Sequence, residues 1–260
     1  MIRTNLFADC DVRKITDTKG CFSVLEYEQD ISVDAEEAMK IYYASKMNVR
    51  KRQLAAQLSD SGIVLQAGVM QVMMGNISAS TNVSDAGDLL KKFVGGKVTG
   101  ETAIKPKYTG DGVVLLEPTY KFIFLEDLAD WNGNLVLEDG MFLGCEDTVE
   151  IGVTMRTTIS SAVLGGEGLF NTVLKGKGVV AIESPVPREE IIVVELLDDV
   201  LKIDGSMAVA WSDTLKFTVE RTTKTLVGSM ASGEGFVNVY RGTGKVLVAS
   251  VDERKVRMKK

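Results

Sequence analysis

Three glutamates recur at nearly constant spacing in this chain. Glu101 follows Gly100, Glu167 lies between Gly166 and Gly168, and Glu234 between Gly233 and Gly235, at offsets of 66 and 67 residues. Carboxylates gathered from three equivalent places can supply hard oxygen ligands to a cation such as Ca²⁺ or Mg²⁺. Acid/base catalysis from the same set requires their environments to differ, with one proton affinity raised. The simpler expectation is structural, each carboxylate accepting backbone N–H bonds at a glycine-rich turn and fixing strand register. No residue is assigned a catalytic or cofactor-binding role, and no cofactor is expected.

A second recurring element is the pair Gly110 and Gly112, repeated as Gly176 and Gly178 and again as Gly242 and Gly244, each step being 66 residues. Successive amides at such glycines can cradle an anion. Hairpin turns explain them more simply, since Asp111-Gly112 and Asp139-Gly140 supply the positive-φ positions that tight turns need. A phosphate loop is absent, because Gly95-Gly96-Lys97-Val98 lacks both the earlier glycine and the hydroxyl. Asn171 and Asn238 fall where a dinucleotide fingerprint would place its last glycine. The chain has no histidine, which excludes Ser-His-Asp and Cys-His pairs, histidine-ligated metals and imidazole acid/base work. Cys10, Cys21 and Cys145 form no C-x-x-C and leave an odd count, so neither a disulfide framework nor a thiolate zinc site fits. Without a histidine to activate it, Cys145 is expected to be a small buried hydrophobe.

The 260 residues carry a net charge of −6, and the field of such a chain repels nucleic acid and anionic lipid. Arg50-Lys51-Arg52 and the tail Arg254–Lys260 are the local exceptions, and with no aromatic residues interleaved they read as solvated charge runs. Nucleic acid is therefore not an expected partner. An unidentified protein partner is, while homo-oligomerisation and peripheral membrane association stay open. The opening residues lack the apolar region of a signal peptide, and no apolar run reaches the roughly 18 residues of a membrane span. A cytoplasmic protein is the expectation.

The elements that must position these residues follow from the repeat itself. Leu135–Gly140 matches Leu201–Gly205, with Val64–Gly68 as a looser copy. Val149, Ile151, Val153 and Met155 alternate with polar or small residues, and 66 positions on come Leu215, Phe217, Val219 and Arg221, the period of a half-buried strand. Val113–Leu116, Val179–Ile182 and Val246–Val248 are short apolar runs suited to strands covered on both faces, and Ile191–Leu197 is another β-branched run. The fold class is all-β, with one or two short helices. A helix is predicted from Asp34 to Met47, with Asp34 as N-cap and Met39, Ile41, Tyr42 and Tyr43 on a broad apolar face. Another is predicted at Ser84–Phe93, and a strand near Phe22–Glu28. The organisation is an N-terminal extension over 1–50, β units over 51–118, 119–184 and 185–250, and a basic tail over 251–260. Trp131 and Trp211, near the starts of the second and third units, read as packing residues.

The Gly-Glu-Gly and Gly-x-Gly elements, with Leu116–Tyr120, Gly166–Phe170 and Gly233–Asn238, resemble the altered inheritance of mitochondria protein 24 family. Its bacterial members were long catalogued as domain of unknown function 124. The resemblance covers about residues 50–250 and implies the TRAP-like superfamily, in which each unit is a compact β-sandwich or short double-stranded β-helix. Three units then pack around a pseudo-threefold axis. Mitochondrial members are linked with inner-membrane organisation, and bacterial members have no agreed reaction. RNA binding by the tryptophan-activated protein that names the superfamily would carry over by fold analogy alone. The leading expectation is a non-enzymatic scaffold or interaction protein. Its rival is a module that binds a cation, small metabolite or RNA in pockets between units.

Overall fold

Alternating apolar residues interrupted by glycine corners fold this chain into antiparallel sheets. The computed structural model describes residues 3–8, 10–81, 105–155, 170–205, 207–221 and 236–249. Its elements in order are β1 (Arg13–Lys19), β2 (Phe22–Tyr27), α1 (Ala38–Lys46), β3 (Arg52–Leu65), β4 (Met70–Ser80), β5 (Lys107–Leu116), β6 (Phe122–Asp127), β7 (Asn134–Leu137) and β8 (Phe142–Glu146). There follow β9 (Val149–Met155), β10 (Phe170–Gly176), β11 (Val179–Ser184), β12 (Ile191–Asp204), β13 (Ala208–Ser212), β14 (Lys216–Arg221) and β15 (Phe236–Ala249). One sheet runs β1-β2-β3-β8-β11-β6, with β5 on β3 and β4 on β5; the other runs β12-β15-β13-β7-β10-β9, with β14 on β15. The all-β reading is borne out.

One pairing plan appears three times. In the first stretch, the two halves of β3 lie on the two halves of β5, as Ala55 opposite Leu115 and Ile63 opposite Tyr108 show, and β4 covers the other edge of β5. In the second stretch the same contacts are shared among separate strands: β6 and β8 flank β11, while β7 and β9 flank β10. In the third, β12 runs the length of β15, and β13 and β14 divide its other edge. Side chains repeat with it. The Val179 amide donates to Glu146 Oε2 at 2.9 Å, and the Lys245 amide donates to Ser212 Oγ at 3.0 Å. Thr148 Oγ1 donates to the Lys177 carbonyl and Thr214 Oγ1 to that of Thr243, both at 2.8 Å.

The glycine pairs differ from the hairpin expectation. Gly110 and Gly112 lie inside β5, and Gly242 and Gly244 inside β15, where β3 and β12 shift register between Leu58 and Ser61 and between Leu196 and Asp199. Gly176 and Gly178 bracket the bend that carries the chain from β10 in one sheet to β11 in the other. All are corners, where a bulge turns a paired strand. Gly110 and Gly112 have φ of +132° and +153°, and a Cβ there would strike the carbonyls of Asn76 and Met74. Asp139-Gly140 does form a tight turn between β7 and β8, with Gly140 at φ +77°, but it joins strands of different sheets rather than closing a hairpin.

The cores are shared between stretches. Ile123, Leu125, Leu143, Val179 and Ala181 from the second stretch pack with Phe22, Leu54, Ile63 and Val114, while Val136 and Val173 pack with Trp211, Tyr240 and Val246. Removing a buried leucine from such a core costs about 2–5 kcal/mol. At the N-terminus β2 fulfils the predicted strand, and β1 adds a hairpin to it. The helix is shorter than predicted, because Asp34 Oδ1 accepts from the Glu36 and Glu37 amides across a preceding turn and Glu37 is the N-cap. The predicted Ser84–Phe93 helix and the basic tail lie outside the described residues.

Candidate functional site

The candidate site is a cleft of about 480 Å³ between the first and second stretches. The β3–β4 turn gives it Gln66 and Val69, the segment after β5 gives Glu117 and Lys121, and Lys105 and Phe142 line it as well. Lys105 Nζ lies 3.9 Å from the Phe142 ring centroid and donates to Gln66 Oε1 at 3.2 Å. Desolvation against a ring face makes such a cation–π contact worth roughly 0.5–2 kcal/mol. Lys121 Nζ and Glu183 Oε2 form a 2.7 Å ion pair at the rim. Asp139 and Thr172 complete a wall of mixed charge. Two ammonium groups with carboxylates and an aromatic face can hold a small polar molecule.

Other charged residues are committed to structure. Arg52, only 3% exposed, donates from Nε to Glu26 Oε2 at 2.8 Å and lies 4.1 Å from the Phe122 ring. Burial holds its proton affinity below the usual arginine value. Arg50 Nη1 bridges Glu26 Oε1 at 2.9 Å and Glu28 Oε2 at 2.8 Å. Lys51 pairs with Asp30, and that hydrogen bond lowers the Asp30 carboxyl below the ordinary carboxylate range. Arg50-Lys51-Arg52 is thus a set of ion pairs rather than the expected solvated run. Arg52 opens the continuously buried first half of β3, and the acidic partners come from 26–30, too far along the chain for a local reading to pair them.

Cys145 is fully buried, and burial pushes its thiol up to about 12. Cys21 also rises to about 12, through burial and the neighbouring Glu146 carboxylate. A thiol so raised carries negligible thiolate at neutral pH. Trp131 donates from Nε1 to Glu126 Oε2 at 3.0 Å, and Trp211 packs against Phe217 and Tyr240, so both are packing residues as expected. Glu101, Glu167 and Glu234 lie outside the described residues. Among those described, no group of three or more Cys, Asp or Glu is placed to hold a metal ion. The glycine pairs serve as corners, and none of them lines the cleft. Sequence reading missed Lys105 and Phe142; Lys105 does stand four residues after Glu101, as Asn171 and Asn238 do after Glu167 and Glu234.

These features define a β protein of two curled sheets with a cleft beside the β3–β4 turn. The family model described as Mitochondrial biogenesis AIM24 matches residues 45–251, and the chain belongs to that family. An uncharacterized protein of Streptococcus pyogenes serotype M6 is 28% identical over 198 residues, covering 73% of this chain and 77% of the relative. The crystal structure of another Streptococcus pyogenes protein superposes with a TM-score of 0.61 at 24% identity, covering 82% of this chain and 93% of that one. It supports the fold. Among the described residues no helix is long and apolar enough to cross a membrane.

Proposed function

We propose that this protein is a non-enzymatic cytoplasmic interaction module built of three TRAP-like β units over 51–118, 119–184 and 185–250. The recurring pairing plan and the shared cores support the three-unit arrangement. The observation that carries the interaction role is α1, no residue of which is buried. Met39, Tyr42, Tyr43 and Met47 follow the i, i+3, i+4, i+8 spacing of one helix face, and their exposures range from 57% to 78%. A soluble monomer gains nothing by holding such a stripe in water, and stripes of this kind mark binding surfaces. Affinity capture from the native host with the intact chain and with a Met39→Ser, Tyr43→Ser, Met47→Ser variant tests this. A specific protein retained by the first and lost by the second, with unchanged circular dichroism, is the expected result. Equal capture by both, or a stoichiometric metal ion or nucleic acid in the purified protein, overturns it.

The cleft favours a second reading, a small polar metabolite held between units by Lys105 and Lys121. Native mass spectrometry of protein purified from its host would detect such a ligand, and Lys105→Ala would release it.

A further inference from the structure

Two of the pairings that hold the sheets together join one unit to the next, and they are the same contact made twice. Ile63, Val64 and Leu65 of β3 lie opposite Glu146, Cys145 and Gly144 of β8. Leu135, Val136 and Leu137 of β7 lie opposite Ser212, Trp211 and Ala210 of β13. On the giving side, Leu65 and Leu137 each stand three residues before a turn glycine, Gly68 at φ +81° and Gly140 at φ +77°. On the receiving side, Gly144 and Ala210 each resume register after a bulge, opposite Ala181 and Leu247.

Each rule also marks a third position. Lys202 of β12 stands three residues before Gly205, whose φ is +73°. Val72 of β4 resumes register after the bulge at Met70, opposite Leu115. Leu115, Ala181 and Leu247 are spaced by 66 residues. The chain thus carries one more giving edge and one more receiving edge. Among the described residues β4 pairs with β5 alone and β12 with β15 alone. In the two built joins Ile63, Leu65, Leu135, Val136, Leu137, Cys145 and Trp211 are buried; on the leftover edges Val200 is 44% exposed, Val72 39% and Met73 41%. These apolar residues therefore do not cover one another within the chain.

We propose that a second copy of this chain completes the contact. The giving edge of β12 in one copy pairs antiparallel with the receiving edge of β4 in the next, placing Lys202 opposite Val72, Leu201 opposite Met73 and Val200 opposite Met74. A second copy is the occupant because every chain brings both halves in equal number, in the register already used twice inside it. The contact is heterologous, so it propagates into a closed ring or an open array. Lys202 stands where the built joins have Leu65 and Leu137, which makes this join weaker and concentration-dependent. The inference rests on the three-unit reading above.

The test places Val72→Cys and Lys202→Cys in a Cys10→Ser background, with each single substitution as a control, and follows oxidation by denaturing mass analysis. Disulfide-linked species of two or more chains are expected, formed only by the double variant. Light scattering of the unsubstituted protein should give a multiple of 28.2 kDa, reverting to a single chain with Met73→Lys at an exposed site. A disulfide confined to one chain overturns the proposal while retaining the three-unit reading, since the ends would then close on themselves. Absence of any cross-link together with a single-chain mass overturns it too, and leaves capture by α1 untouched.

Discussion

The two built joins and the two leftover edges use equivalent backbone positions and meet opposite fates. At β7 and β13 the contact is sealed by Trp211, which is 2% exposed and packs on Phe217 and Tyr240. At the matching place on β4 stands Met73, in solvent. Equivalent strands in one chain are thus buried or bare according to their neighbour, because an edge strand offers unpaired N–H and C=O groups whatever its sequence. The lesson is that the strand lying alongside, rather than local composition, decides what each edge does.

The sharpest way to break that contrast is to truncate both positions. Trp211→Ala should lower unfolding stability by about 3–5 kcal/mol, whereas Met73→Ala should stay within about 0.5 kcal/mol in dilute solution, as urea titration would measure. Next in size is the sealed start of β3. Arg52→Ala leaves Glu26 without its buried partner and should cost about 3 kcal/mol, against about 1 kcal/mol or less for the more open Lys121→Ala at the cleft rim. Calorimetry of the two variants would separate them.

The corners give a smaller difference. Gly112→Ala meets the Met74 carbonyl at φ +153° and should cost more than about 2 kcal/mol, whereas Gly68→Ala, at φ +81° with open space around it, should cost about 1 kcal/mol. The smallest effect lies between β14 and β15, where Arg241 donates to Glu220 Oε1 at 2.6 Å and Oε2 at 2.9 Å. This hydrogen bonding holds the Glu220 carboxyl down at about 2. The folded state then binds its proton less readily than the unfolded state, so the contribution is present above the ordinary glutamate range and is lost as pH falls toward about 2. Water screens this surface pair, so Glu220→Gln should flatten the acid limb of a melting-temperature profile only slightly, and less in high salt.

Much of the fold is legible in the residues. The alternation in Val149–Met155 and the apolar run Val179–Ile182 became β9 and the buried β11, because the period of two and the β-branched content act locally. The glycine pairs were misread as hairpins because a positive φ serves a hairpin and a bulge alike, and only the partner strand decides between them. Ile191–Leu197 reads as an apolar, β-branched strand, and in β12 Ile192, Val193 and Leu197 are nevertheless exposed. No local pattern says that β12 pairs with β15 alone among the described residues. The cleft was illegible for the same reason. Lys105 precedes β5, Lys121 precedes β6 and Phe142 opens β8, and they come together only when β3 pairs with β8. Likewise the stripe on α1 was visible as apolar spacing, while its exposure depends on what the sheets leave uncovered.

Hydrogen exchange across a concentration series tests the central claim most directly, that the edges left over from the built joins are made whole by another copy. Amides of Gly144–Glu146 and Ala210–Ser212 should be protected at every concentration, and outward-facing amides between Gln71 and Gly75 should gain protection as the protein is concentrated. Exchange from Gln71–Gly75 that is fast at every concentration, or already blocked at the highest dilution, would contradict the account.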